Sequence, residues 1–247
     1  MPPLVLTFAA SDPTGGAGVQ ADLLTLAALG CHPLSVLTAV SVQDTTGVAY
    51  LKVLDAELVA RQARCVLAES KVAAFKVGVL GSANNVRAVA AIAAEHATVP
   101  LVLDPVLASG RGDALASNSV LKSLLEFLVP RAALVTPNTL EAERLGGEKR
   151  LLELGCRYVL VTGTHAAGAE VVNRLYDANG LVSEDRWQRL PGSYHGSGCT
   201  LASAIAAGLA KGVAVPEAVR AAQEFTWRSL AAGFRTGAGQ SLPNRFF

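Results

Sequence analysis

Residues 4–30 read LVLTFAASDPTGGAGVQADLLTLAALG. Leu4–Ala9 is a short apolar run, and Thr14–Gly18 after it is a glycine-rich turn. Val19–Leu29 then places Leu23, Leu26, Ala27 and Leu29 at helical spacing and stops at Gly30. The stretch therefore predicts strand, loop and helix in about the shortest length that an α/β unit needs.

The same alternation continues outward. Leu34–Val42 reads as a strand and Leu58–Ala68 as a helix; Ala74–Leu80 reads as a buried strand and Val86–His96 as a helix. Leu101–Leu103, Ala133–Val135 and Tyr158–Val161 read as strands. Val120–Leu128 reads as a helix, and Leu140–Leu145 with Lys149–Leu154 as a helical pair. Val171–Arg189 alternates more strongly and carries Asn179-Gly180, which predicts an antiparallel hairpin. Two helices, Cys199–Ala210 and Pro216–Ala232, close the pattern. Repeated strand–helix units imply a mostly parallel sheet with helices on both faces. No linker, repeat or low-complexity tract divides residues 1–247, so one domain is expected. Ligands in such sheets bind beyond the carboxyl ends of the strands.

Composition narrows the function. The chain has 247 residues, 51% hydrophobic and 17% charged, with a net charge of +1. That balance excludes a disordered chain and offers no global field for nucleic acid or an anionic membrane. Cys199–Ala210 is the richest apolar stretch and falls short of the roughly 20 residues of a spanning helix. Met1–Thr7 lacks a basic segment and is not expected to be a signal peptide. Cys31, Cys65, Cys156 and Cys199 are widely spaced. They suggest neither a zinc site nor a disulfide framework, and they fit a reducing, cytoplasmic compartment.

Three sets of residues could carry chemistry. In His195-Gly196-Ser197-Gly198-Cys199-Thr200, two glycines precede a helix, so backbone N–H groups can converge on an anion. Cys199 falls in the first turn, where its pKa is expected to drop below the free value of about 8.5; a small buried residue is the alternative. In Ser11–Asp22 the glycine-rich loop matches neither G-x-G-x-x-G nor G-x-x-x-x-G-K-[ST], which argues against a Rossmann site and a Walker NTPase. Asp12 can serve there as a turn residue, and Asp22 as a solvated first-turn carboxylate. Third, Gln43, Asp44, Asp104 and Asn138-Thr139-Leu140-Glu141 lie at strand ends. Carboxylates near a phosphate could hold Mg²⁺ through water, although Asn138 and Glu141 also spell a helix capping box.

Six segments in order make the combination specific: SDPTGGAGVQADL (11–23), SVLTAVSVQDTTG (35–47), KVGVLGS (76–82), LDPVLASGRG (103–112), TPNTLEAE (136–143) and HGSGCTLASA (195–204). Together they resemble the ribokinase superfamily, and within it the hydroxymethylpyrimidine/phosphomethylpyrimidine kinases of thiamine biosynthesis. The resemblance implies a ribokinase-like three-layer sandwich that uses ATP and Mg²⁺. It implies that Asp22 and Gln43 hold the pyrimidine between Ala17, Val79 and Val106. Gln43 is suited to the aminopyrimidine edge because an amide offers donor and acceptor together. It further implies Mg²⁺–phosphate roles for Asp104 and Glu141, nucleotide contacts at Asn138, Thr162 and Ser197, and an anion hole of Gly196, Gly198 and the Cys199 N–H. The Cys199 thiolate would be the base for the substrate hydroxyl.

Departures from the family gather on the nucleotide side. Thr162 stands where a lysine is usual, and Arg111, Arg174 or Arg235 are candidates to replace that cation. Val79 stands where methionine is common. Val171-Val172-Asn173 replaces an acidic turn, the stretch after Glu143 is short, and the tail after Thr236 lacks a lysine. Ser109–Gly112 would allow a loop to close. A homodimer through exposed apolar residues at a sheet edge is expected. A pyridoxal/pyridoxine kinase and a non-catalytic homologue that keeps the pocket are the alternatives.

Overall fold

The computed structural model describes residues 1–108, 115–164 and 167–247. Its centre is a nine-stranded sheet in the order β3-β2-β1-β4-β5-β6-β7-β8-β9. The parallel part comprises β1 (Leu4–Ser11), β2 (His32–Asp44), β4 (Ala74–Val77), β5 (Leu101–Leu103), β6 (Leu134–Val135) and β7 (Val159–Val161). Three antiparallel strands flank it. One is β3 (Gly47–Val53), which the sequence did not announce; the others are β8 (Glu170–Asp177) and β9 (Gly180–Gln188). The hairpin expected at Asn179-Gly180 joins the last two. Val171–Asn173 lies within β8, as the antiparallel reading of Val171–Arg189 expects; Val171 and Val172 are β-branched and pair with Trp187 and Arg186.

The core strands are buried on both faces, and their side chains alternate between two apolar layers. Leu6 and Phe8 of β1, with Leu101 and Leu103 of β5, point to one layer. There they meet α2 (Ala56–Leu67), α3 (Ala83–Glu95) and the segment from α4 (Asn118–Ser123) onward. Val5 and Val102 point to the other, with α1 (Gly18–Ala28), α7 (Ser197–Ala210) and α8 (Val215–Ala231). Burying each such Leu, Val or Phe contributes roughly 1.5–3 kcal/mol. The helix expected over Val120–Leu128 changes hydrogen-bond pattern at Leu124, becoming a π turn through Leu128. The helical pair is α5 (Thr139–Leu145) and α6 (Gly147–Glu153), joined through Gly146 in the left-handed region.

The first loop and α7 converge above the carboxyl ends of β1, β4 and β5. Gly18 opens α1 at φ +59°, and a Cβ there would meet the Ala10 carbonyl at 2.3 Å. Gly196 caps α7 at φ +80°, and a Cβ there would sit 1.9 Å from the Gly16 carbonyl. A side chain at either position would push the two loops apart. Among the described residues, no helix is long and apolar enough to cross a membrane.

Candidate active site

At the start of α7 lies a buried charge cluster. Lys76, within the apolar strand β4, is fully buried, with its ammonium 2.8 Å from Asp22 Oδ1 and 4.0 Å from Asp104 Oδ2. Burial would lower its pKa, but Asp22, Cys199 and Asp104 outweigh that and raise it, so Lys76 stays charged. Asp22 is also fully buried, and both its oxygens are taken: Thr7 donates to Oδ2, and Ser203 to Oδ1 at 2.8 Å. This corrects both expectations for Asp22. It is neither solvated nor open to a pyrimidine; it anchors Lys76.

Cys199 sits beside this cluster. The expected low pKa does not hold: burial pushes the thiol up to about 12. Lys76 pulls it down, but Asp104 and Asp22 push it further up, so burial, helped by the carboxylates, defeats the helix start. Burial lifts the Asp104 carboxyl to about 6, against the pull of Lys76 and of the neighbouring Cys199. Asp104 Oδ2 is buried with no hydrogen-bond partner. A Cβ on Gly198 would lie 3.9 Å from both Asp104 oxygens, which places Gly198 beside the carboxylate.

From Asp104 the contacts run to the β6 and β7 ends. Burial and the Asp104 charge push Glu141 up to about 7. Its oxygens accept from Leu107 N–H at 3.2 Å and Asn138 N–H at 3.0 Å, completing the capping box with Asn138. Asn138 bridges to Thr162, whose N–H donates to the Pro137 carbonyl at 2.9 Å. The cation expected to replace a lysine here is not supplied by Arg174, paired with Glu184 at 2.8 Å, nor by Arg235, which donates to the Ala238 and Gly239 carbonyls. Arg111, with the Ser109–Gly112 loop, lies outside the described residues.

The other direction leads to the first loop. Asp12 accepts from Ala17 N–H at 2.7 Å, Thr14 N–H at 2.9 Å and His195 Nε2 at 2.9 Å. Burial would raise its pKa, but these bonds, His195 foremost, hold it at about 2. The same His195 nitrogen is 3.4 Å from Gln43 Nε2. Ala17, Val79, Val106 and Ser197 are half-buried at neighbouring loop and strand ends. Val79 also accepts a bond from Thr38, and Val106 N–H returns to the Asp104 carbonyl.

Sequence reasoning missed Lys76, His195 and Arg245. A lysine inside the run AAFKVGVL was a readable signal, because a charge enters a buried strand only with a partner. Arg245 is 4% exposed and carries no such signal.

Residues 12–244 match the model of the phosphomethylpyrimidine kinase family. The chain belongs to that family. A hydroxymethylpyrimidine/phosphomethylpyrimidine kinase of Streptomyces coelicolor is 45% identical, the match covering 96% of this chain and 92% of the relative. The thiamine biosynthesis bifunctional protein ThiED of Geobacter sulfurreducens is 37% identical over 97% of this chain and 51% of its own length. Among solved structures, the pyridoxal kinase of Staphylococcus aureus in complex with AMP-PCP and pyridoxal superposes with TM-score 0.90 at 26% identity. It covers 100% of this chain and 94% of that one. The expected ribokinase-like sandwich is thus the observed fold.

Proposed function

We propose that the chain is one kinase domain that phosphorylates 4-amino-5-hydroxymethyl-2-methylpyrimidine and then its monophosphate, giving the diphosphate for thiamine biosynthesis. ATP is the phosphoryl donor. The observation that carries this reading is the Cys199–Asp104 pair at the start of α7, with Gln43 beside His195 at the β2 end and Asn138 bridged to Thr162 at the β6 and β7 ends. It gives a recognition end, a proton-handling centre and a phosphate end on one edge of the sheet.

Asp12, held ionised, makes His195 Nε2 a donor. The single Nε2 proton is then committed to Asp12, and the Gln43 amide 3.4 Å away keeps its donor and acceptor for the aminopyrimidine edge. The thiol of Cys199 is protonated at rest and cannot simply accept a proton. It acts as a carrier: the hydroxyl proton moves to Sγ as the Sγ proton moves to the Asp104 carboxylate, and the alkoxide oxygen bonds to the γ-phosphorus as the ADP oxygen leaves. Phosphorylating the monophosphate needs no such carrier, because its nucleophile is already anionic. It rests on positioning and the N–H groups of Gly196, Gly198 and Cys199. Asp104 and Glu141 would hold Mg²⁺ through its water shell: both are oxygen donors whose charges oppose one another, and Asp104 Oδ2, with Lys76 at 4.0 Å, has no hydrogen-bond partner. The ion would supply charge neutralisation at the transferring phosphate. Asn138, Thr162 and Ser197 are the nucleotide contacts in this reading. The protein is assigned to the cytoplasm and to a homodimer, for which exposed Val40, Val42 and Tyr50 on the β2–β3 edge offer the apolar face.

The similarity of shape to pyridoxal kinase favours a second reading, phosphorylation of pyridoxal. ADP release measured side by side with hydroxymethylpyrimidine, its phosphate and pyridoxal tests both. Turnover of the two pyrimidines ahead of pyridoxal is expected. Preferred turnover of pyridoxal would reverse the assignment, and thermal stabilisation by the pyrimidine without turnover would mark a non-catalytic homologue.

A further inference from the structure

The segment Phe234–Phe247 lies back across the site. Ser241 accepts from His195 N–H at 2.9 Å, Asn244 N–H donates to the Ser229 carbonyl at 3.0 Å, and Phe247 packs on Phe225 and Arg228. Leu242 is buried; a Cβ added to Gly16 would meet its Cδ2 at 2.6 Å. These contacts deliver Arg245 to the underside of the substrate loop. Its Nη2 donates to the Gly16 carbonyl at 2.6 Å and to Thr200 Oγ1 at 3.0 Å; Nη1 reaches the Gly15 carbonyl at 3.4 Å, and Nε donates to Thr200 Oγ1 at 3.2 Å. Thr200 Oγ1 passes its own proton to the Gly196 carbonyl at 2.9 Å. Gly196 in turn lies against Gly16.

The contacts form a closed ring: Arg245, Gly16, Gly196, Thr200 and back to Arg245. One side of the ring carries Ala17, on the proposed pyrimidine pocket. The other carries Gly198 and Cys199, on the proposed phosphoryl site. Burial lowers the Arg245 pKa, and the charges of Cys199, Asp22 and Asp12 oppose that. A planar fork with several donors can hold two carbonyls and a hydroxyl together; an ammonium cannot.

We propose that Arg245 is a positioning residue that clamps the Gly15–Gly16 loop to the first turn of α7 and so fixes the spacing between pyrimidine pocket and phosphoryl-transfer site. It touches no reacting atom. Docking of the Phe234–Phe247 segment is thereby a condition for turnover. The inference rests on the kinase activity proposed above.

The test uses the full chain with Arg245→Ala and Arg245→Lys. KM for hydroxymethylpyrimidine, KM for ATP, kcat and Tm are measured, with and without added guanidinium. A loop displaced by about an ångström costs up to about a hundredfold in rate. Arg245→Ala is therefore expected to raise the pyrimidine KM and lower kcat by about tenfold each, while the ATP KM stays within about twofold. Guanidinium should restore part of kcat, and Arg245→Lys should fall between. Where Arg245→Ala does not fold, Arg245→Lys carries the same split. Unchanged pyrimidine KM and kcat, or a fall in Tm with both KM values moving together and no rescue, would overturn the clamp. A parent enzyme that releases no ADP defeats the activity reading instead.

Discussion

Around Gln43 and Asp12 the site is held together by side chains, whereas at Thr162 it is held by backbone. On the first side, Asp12, His195, Lys76, Asp22 and Arg245 are buried or nearly so, and their bonds cross from one chain segment to another. On the second, Thr162 is fixed by Pro137 and Thr139 backbone groups, and Arg174 is spent on Glu184. A buried charged network tolerates few changes, because each member removed strands its partners. A backbone-built strand end tolerates many. The difference marks Thr162 as a position free to change and the loop 12–22 with the GSGC turn as positions that are not.

The largest effect tests the junction of the two sides. Cys199→Ala removes the proton carrier, so turnover of hydroxymethylpyrimidine should fall by about 10³-fold, within the range of a lost acid–base group. Turnover of the monophosphate should fall by no more than about tenfold, since only packing is lost there. Steady-state assays with each substrate decide it, and equal losses would remove Cys199 from proton transfer. Next comes Lys76→Met. It strands the Asp22 and Asp104 carboxylates in the core, and a broken buried ion pair costs roughly 3–5 kcal/mol. Urea unfolding should show that loss; a variant as stable as the parent would mean that the cluster is not held by its charge.

Asp12→Asn is expected to cost less, roughly 2 kcal/mol at pH 7, from a carboxyl moved from 3.8 to about 2. The folded-state pKa is depressed, so this contribution is whole above about pH 4 and is lost as pH falls toward 2. The stability gap between parent and variant should therefore narrow by about half on acidification from pH 5 to pH 3 and close below about pH 2. A gap independent of pH would assign the loss to shape rather than charge.

The same contrast explains what the sequence could and could not tell. The parallel sheet was legible because LVLTFA, AAFKVGV and LVL are apolar on both faces, and only burial between helices accounts for that. The glycine turns were legible because φ values of +59° and +80° exclude side chains. Strand β3 escaped because Gly47–Val53 sits at an edge, with Ala49, Tyr50 and Lys52 exposed, so its apolar signal is weak. The direction of the Cys199 shift escaped for another reason. Helix position is local in sequence, but Asp22, Lys76 and Asp104 approach the thiol only through tertiary folding. Arg245 escaped likewise: its partners at Gly16 and Thr200 lie far away along the chain.

The smallest predicted effect addresses the backbone-built side directly. Thr162 is half-buried at the end of β7; its N–H donates to Pro137 at 2.9 Å and its carbonyl accepts from Thr139 at 3.2 Å. Neither bond involves the side chain, so Thr162→Lys should leave the strand end in place. The long stem can carry the ammonium toward solvent and the proposed ATP phosphates. An added cation at a partly exposed position contributes about 1 kcal/mol, which is about fivefold in KM for ATP. That KM should fall while the KM for hydroxymethylpyrimidine and the Tm stay where they are, and the gain should shrink as salt rises. If the ATP KM does not move, the phosphates do not pass Thr162. If instead the pyrimidine KM moves, the two sides are coupled through Asn138 and Glu141 more tightly than their separate construction implies.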